Sequence, residues 1–271
     1  MKVGEYRQLA QKNEQENYFL DKLFFRKISI YLTIIFIKLK VTPNQATFLS
    51  LVSALASLYF LTGSSRGMLL TAAALIFLYY LLDHVDGELA RYYIQTGVMK
   101  PSLKGHYFDV LVHRYSSNLM VFFLGLGLYK HDGNELALLL GFLACIGISS
   151  FPNVIAAQVL VGKIATDPQA LREEKTREIL LELEKKTRQV ADLQGSMLQK
   201  VRKIAIESLF FPGHILLLIL VLILDAFLGD FVLGPHRVNL RLILLVLLAF
   251  LYTAKTLAQG ILWIHKFKDV S

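Results

Sequence analysis

The chain has 271 residues, of which 55% are hydrophobic and 18% charged, with mean hydropathy +0.50 and a formal net charge of +8. Ordinary soluble domains carry about 25% charged residues, so this composition excludes a disordered chain and a nucleic-acid module built on a basic surface. A single cysteine, Cys145, excludes a disulfide framework and a Cys-rich zinc site.

Met1 to Asp21 is charged and polar and does not read as a cleavable signal peptide. Residues 18–40 mix aromatic, aliphatic and basic side chains without an uninterrupted apolar run. They predict an amphipathic helix lying in the membrane interface, with Lys22, Arg26, Lys27, Lys38 and Lys40 toward headgroups. Membrane-crossing helices need about 20 mostly apolar residues. Six segments qualify: 45–63, 67–90, 104–129, 134–162, 205–229 and 238–264. Residues 163–203 form a charged insertion with helix-forming composition. Within and beyond it Leu183, Val190, Met197 and Ile204 recur every seven residues, which admits a dimerising coiled coil beside the plainer reading of a solvated helix.

The distribution of Lys and Arg sets the orientation. Eight precede the first span, three lie between spans two and three, ten between spans four and five, and two in the tail, against four in the alternate connections. Positive charge collects on the cytoplasmic side, so both termini are expected there and the basic balance attracts anionic headgroups. The expected fold class is all-α, an integral membrane protein of six transmembrane helices preceded by an interfacial helix. Its parts are 1–40, interfacial; 41–162, spans one to four; 163–203, the insertion; and 204–271, spans five and six with a short tail.

Carboxylates in or beside a span are costly and mark function. Span two ends in LLDHVDGELARYY, where Asp83, Asp86, Gly87, Ala90 and Arg91 share one helical face. Span three begins GHYFDVLVHRY, where Gly105, Asp109 and His113 share another. A short loop between the two spans can bring Asp83, Asp86, Asp109 and His113 together. Crowded carboxylates repel, and a hard divalent cation, Mg²⁺ or Mn²⁺, is the usual compensation. Mg²⁺ so held completes its shell with water and substrate phosphates. Gly87 and Ala90 would let a ligand approach the backbone, and Arg91 could fork onto a phosphate. These features imply metal-assisted transfer of a phosphoryl-type group. The same residues also admit a structural ion-pair cluster at the membrane edge. No G-x-S-x-G, H-E-x-x-H or P-loop pattern is present.

The pattern D-x2-D-G-x2-A-R followed by G-x3-D, carried by Asp83, Asp86, Gly87, Ala90, Arg91, Gly105 and Asp109, resembles the signature of the CDP-alcohol phosphotransferase family. The string V-T-P-N-Q-A-T, Val41 to Thr47, is a second and weaker match. The resemblance covers residues 18–162 well and the last two spans only by count. It implies an integral membrane enzyme of phospholipid synthesis, with two Mg²⁺ or Mn²⁺ ions on the motif aspartates Asp83, Asp86 and Asp109. Asn44, Thr47, Gly87, Ala90 and Arg91 would hold the cytidine-diphosphate part of a CDP-linked lipid or alcohol. An acceptor hydroxyl would attack the phosphorus distal to cytidine, and CMP would leave. The resemblance also implies a homodimer in a bacterial or archaeal-type inner membrane, with the site facing the cytoplasm.

The chain departs from the family in two places. His113 stands where the family's last motif aspartate acts as general base on the acceptor. A neutral imidazole with a pKa near 6.5 can take that proton, though it is a poorer Mg²⁺ ligand and weakens the case for a second ion. An inactivated binding or scaffold protein is the alternative that this residue raises. The second departure is the gap of thirteen residues between Arg91 and Gly105, longer than the family usually has, which predicts an enlarged loop near the acceptor entrance. Polar residues in the later spans, Arg114, Ser116, Asn118, Asn153, Gln158, Glu207, His214, Lys255 and Gln259, suggest a water-accessible cavity, with Arg114 and Lys255 as candidates for an anionic acceptor. A Mg²⁺-diphosphate prenyltransferase would show two separated aspartate-rich loops and more spans. In a cation transporter, Arg91 beside the aspartates would repel the permeating ion.

Overall fold

The structure, a computed structural model, describes residues 2–11, 24–149, 151–167, 169, 173–187, 213–233 and 236–268. It is a helical bundle. Helices α1 (Val3–Ala10) and α2 (Arg26–Lys38) precede α3 (Pro43–Leu61), α4 (Arg66–Gln95) and α5 (Leu103–Asp132). Then come α6 (Glu135–Ile148), α7 (Phe151–Thr166), α8 (Glu174–Thr187), α9 (Gly213–Leu228) and α10 (Leu240–Phe267). A two-stranded antiparallel hairpin, β1 (Phe231–Leu233) and β2 (His236–Val238), joins α9 to α10 and was not expected from the sequence.

Local chemistry sets the helix starts. Thr42 caps α3 in a reciprocal box with Gln45, and Pro43 occupies the first turn, where its missing N–H costs nothing. Ser65, Ser102, Asn134 and Asn239 cap α4, α5, α6 and α10 more simply, each side-chain oxygen accepting one backbone N–H of the first turn. Gly133, at φ 66°, ends α5 in the left-handed region.

Among the described residues, four helical stretches are long and apolar enough to cross a membrane: Pro43–Leu61, Arg66–Gln95, Glu135–Thr166 and Leu240–Phe267. Helix α5 is as long as α4, but Asp109, His113 and Arg114 dilute its first half. Helix α9 is a shorter apolar helix of 16 described residues. Of the six expected spans, four are thus matched among the described residues by helices long and apolar enough to cross a membrane. Large apolar side chains such as Phe48, Leu55, Tyr59, Leu220, Phe227, Ile243 and Phe250 point outward from α3, α9 and α10. Such a surface suits lipid and not water.

Leu58, Ile76, Tyr80, Leu124, Leu222 and Leu248 belong to one core spanning α3, α4, α5, α9 and α10. Small residues bring backbones close. A Cβ on Gly127 would lie 2.2 Å from the Leu61 carbonyl oxygen of α3, and one on Gly125 would lie 2.5 Å from the Ala137 carbonyl oxygen of α6. At the end of the bundle away from the aspartates, Asp225 of α9 and Arg241 of α10 form a buried ion pair at 2.5 Å. Asp225 also accepts from the Leu240 backbone N–H at 2.9 Å.

One placement in the flanking segments differs: Arg26, expected toward headgroups, turns inward to Glu88 at 3.3 Å, while α2 packs against α4 through buried Ser29, Ile30 and Thr33. Lys27, Lys38 and Lys40 are exposed, while Lys22 lies outside the described residues. Helix α8 docks on its own chain: Ile179, Leu180 and Leu183 pack with Ala156, Leu160, Trp263 and Phe267 of α7 and α10. Lys266 pairs with Glu182, and Lys163 with Glu173 at 3.0 Å. Val190, Met197 and Ile204 of the heptad, and Glu207 of the fifth expected span, lie outside the described residues.

Candidate active site

The first turn of α3, the C-terminal half of α4 and the first turns of α5 meet at one end of the bundle. Asp83 and Asp86 come from α4 and Asp109 from α5, and each offers an oxygen within 4.8 Å of the others. Asp86 is buried, while Asp83 and Asp109 are half-buried. The Thr47 hydroxyl, one turn into α3, lies 2.6 Å from Asp86 Oδ2 and fixes that carboxylate. Nδ1 of His113, one turn beyond Asp109, lies 3.2 Å from Asp83 Oδ1 and 3.4 Å from the Tyr79 hydroxyl.

A cavity of about 750 Å³ opens beside the carboxylates. It is lined by Asn44, Thr47, Asp86, Gly87, Ala90, Arg91 and Asp109, and by Met99, Pro101, Ser102 and His106. Its volume is in the range of small-molecule sites. At Gly87 an added Cβ would come within 3.3 Å of an Arg91 terminal nitrogen, so the guanidinium lies over a glycine that leaves room for it. At Gly105 a Cβ would come within 3.2 Å of Asn44 Oδ1, so the α5 start and the α3 start approach closely there.

Three carboxylates this close repel one another unless a cation or protons intervene. The all-oxygen donor set, with one carboxylate oriented by a threonine and a cavity alongside, fits a hard divalent ion that keeps open positions for a phosphate ligand.

The structure brings together Asn44, Thr47, Asp83, Asp86, Gly87, Ala90, Arg91, Asp109 and His113. It does not bring the acceptor candidates to this cavity. The Arg114 side chain is exposed. The Lys255 ammonium lies 5.6 Å from the Tyr252 ring centre, and Tyr252 meets buried His214 at 3.1 Å. Two other polar residues of the later spans are engaged structurally: Asn118 donates to Ser149 at 2.7 Å, and Asn153 accepts from Trp263 Nε1 at 2.8 Å.

Sequence reasoning overlooked several residues. The long loop before Gly105 is a wall of the motif cavity through Met99, Pro101 and Ser102, not only a feature of another entrance. Glu88 is fully buried two residues past Asp86, and it is bound by side chains from α2 and by Gln11. A third acidic residue in the motif helix was the signal available for it. Ser29 and Thr33, spaced i and i+4 on α2, were the signal for its partners.

A family model described as CDP-alcohol phosphatidyltransferase matches residues 40–180, more than half of the chain. No curated protein matches the chain.

Proposed function

The chain belongs to the CDP-alcohol phosphatidyltransferase family, whose members move a phosphate-linked group from a CDP-alcohol to an acceptor, and on that premise we propose a membrane enzyme of phospholipid synthesis that releases CMP. One observation carries the reading: three carboxylates converge within 4.8 Å beside a cavity that Gly87, Ala90 and Arg91 line.

Asp83, Asp86 and Asp109 would hold one or two Mg²⁺ or Mn²⁺ ions, which neutralise diphosphate charge when bound. Arg91 binds a phosphate end-on, and Gly87 and Ala90 give the donor access to the backbone. Thr47 keeps Asp86 oriented, and Asn44 lines the donor side. The acceptor oxygen attacks the donor's distal phosphorus, forming one P–O bond, while the P–O bond to the CMP phosphate breaks. His113 takes the acceptor proton on Nε2, because its Nδ1 faces Asp83. Arg114 and Lys255 remain our candidates for an anionic acceptor. The Lys and Arg asymmetry supports a cytoplasm-facing site, and the family supports a homodimer.

A non-catalytic binding role is a second reading, favoured by one contact. Through the His113–Asp83 contact at 3.2 Å, the imidazole competes for a carboxylate that a metal would otherwise use. The test is CMP binding set beside CMP release, measured on the reconstituted protein with Mg²⁺ or Mn²⁺ and a panel of alcohols. Release supports transfer; binding with no release under any acceptor supports the second reading.

A further inference from the structure

We propose that helix α1 is a working part of the donor site, a strap whose last carbonyl holds the Arg91 guanidinium in its phosphate-facing pose. The proposal rests on the donor-site reading above. Arg91 Nε donates to the Ala10 backbone carbonyl at 2.6 Å. Ala10 is the last residue of α1 and is fully buried. The final carbonyls of a helix lack intrahelical partners and carry the negative end of its dipole, so they favour a cation. Meanwhile the terminal nitrogens of Arg91 lie over Gly87, on the cavity side. A guanidinium held by Nε presents its end-on NH1/NH2 edge, which matches two phosphate oxygens.

The strap has its own anchor. Glu88, one helical turn before Arg91 on the same face of α4, is fully buried. Its Oε1 accepts from Gln11 Nε2 at 2.9 Å, Ser29 Oγ at 2.7 Å and Arg26 at 3.3 Å, and its Oε2 accepts from Thr33 Oγ1 at 2.6 Å. Gln11 Nε2 also lies 2.7 Å from the Arg26 carbonyl. A buried carboxylate is expensive to desolvate and is a poor choice for stability alone. Here it joins α1, α2 and α4 in one register, and that register puts the Ala10 carbonyl against Arg91. Gln11 acts on donor binding only through this chain of contacts, so it is a positioning residue.

Two substitutions outside the bundle core test the strap in the full-length protein. Gln11→Leu removes the tie to Glu88. Gln11→Pro disfavours the helical conformation of Ala10 and so swings its carbonyl. The readouts are CDP affinity with Mg²⁺, and KM and kcat for CMP release from CDP-diacylglycerol, each in the Arg91 and Arg91→Lys backgrounds. A hydrogen bond to a charged group supports a loss of roughly tenfold in CDP affinity and donor KM, with kcat within about twofold and the thermal midpoint unchanged. In the Arg91→Lys background neither substitution should matter further, because an ammonium has no Nε for the carbonyl to hold. Unchanged CDP affinity and KM in both variants overturn the strap, as does an equal loss in the lysine background. Wild-type protein that binds CDP but releases no CMP refutes the transfer reading and leaves the strap to be judged on CDP affinity. Wild-type protein that binds no CDP refutes both.

Discussion

His113 Nδ1 stands 3.2 Å from Asp83 Oδ1, which makes the histidine an extension of the acidic cluster and not a bystander on α5. A ring oriented by a carboxylate holds one tautomer and one proton-accepting nitrogen. His113→Ala should therefore lower kcat by about 10²–10⁴, the usual worth of a positioned general base, with donor KM little changed. His113→Asp should keep turnover and lower the metal concentration needed for half-maximal rate. Steady-state kinetics across a Mg²⁺ series reads both, and full activity in His113→Ala would remove the proton-acceptor role.

Thr47 is a support for the candidate metal site, since its hydroxyl reaches Asp86 Oδ2 at 2.6 Å. Groups that orient a ligand typically change metal affinity by about 10–100-fold when removed. Thr47→Val should raise the Mg²⁺ concentration for half-maximal activity by about that factor while the thermal midpoint stays in place. A variant that titrates with Mg²⁺ like the wild type would limit Thr47 to packing.

The glycine under Arg91 supplies a third expectation. Gly87→Ala puts a Cβ 3.3 Å from an Arg91 terminal nitrogen. The obstacle is the far end of a flexible side chain, so the helix survives while the guanidinium is pushed aside. Donor KM should rise by roughly tenfold, which is about 1.4 kcal/mol, and kcat should fall little. Measured KM values for Gly87→Ala and Gly87→Ser decide it.

At the opposite end of the bundle the chemistry is structural. Asp225→Ala strands Arg241, which is 2% exposed, without its carboxylate. Removing one partner of a buried ion pair costs about 3–5 kcal/mol. The thermal midpoint should drop sharply, and donor KM in the surviving fraction should match the wild type. A replacement of both residues by apolar side chains should recover much of the loss.

The parts of this molecule that were readable from sequence are those governed by short-range periodicity. Asp83 and Asp86, or Asp109 and His113, sit at helical spacings, so their shared faces follow from 3.6 residues per turn. Long apolar runs announce the membrane helices. What escaped notice depends on distant pairing. Arg26 looks like a headgroup contact until Glu88, 62 residues away, is seen to claim it. Arg241 looks like a loop charge until Asp225 faces it, and nothing local to Ala10 says that its carbonyl meets Arg91. Side chains paired across helices obey no period, which is why the acidic trio was legible and its supports were not.

The most direct measurement is CMP release from CDP-diacylglycerol by the reconstituted protein, with Mg²⁺ and a panel of hydroxyl acceptors, in wild type and Asp109→Asn. We expect metal-dependent release, matched mole for mole by a new phosphodiester, that falls to background in Asp109→Asn. Release that persists undiminished in Asp109→Asn, or in the presence of excess chelator, would contradict a reaction run by the aspartate cluster.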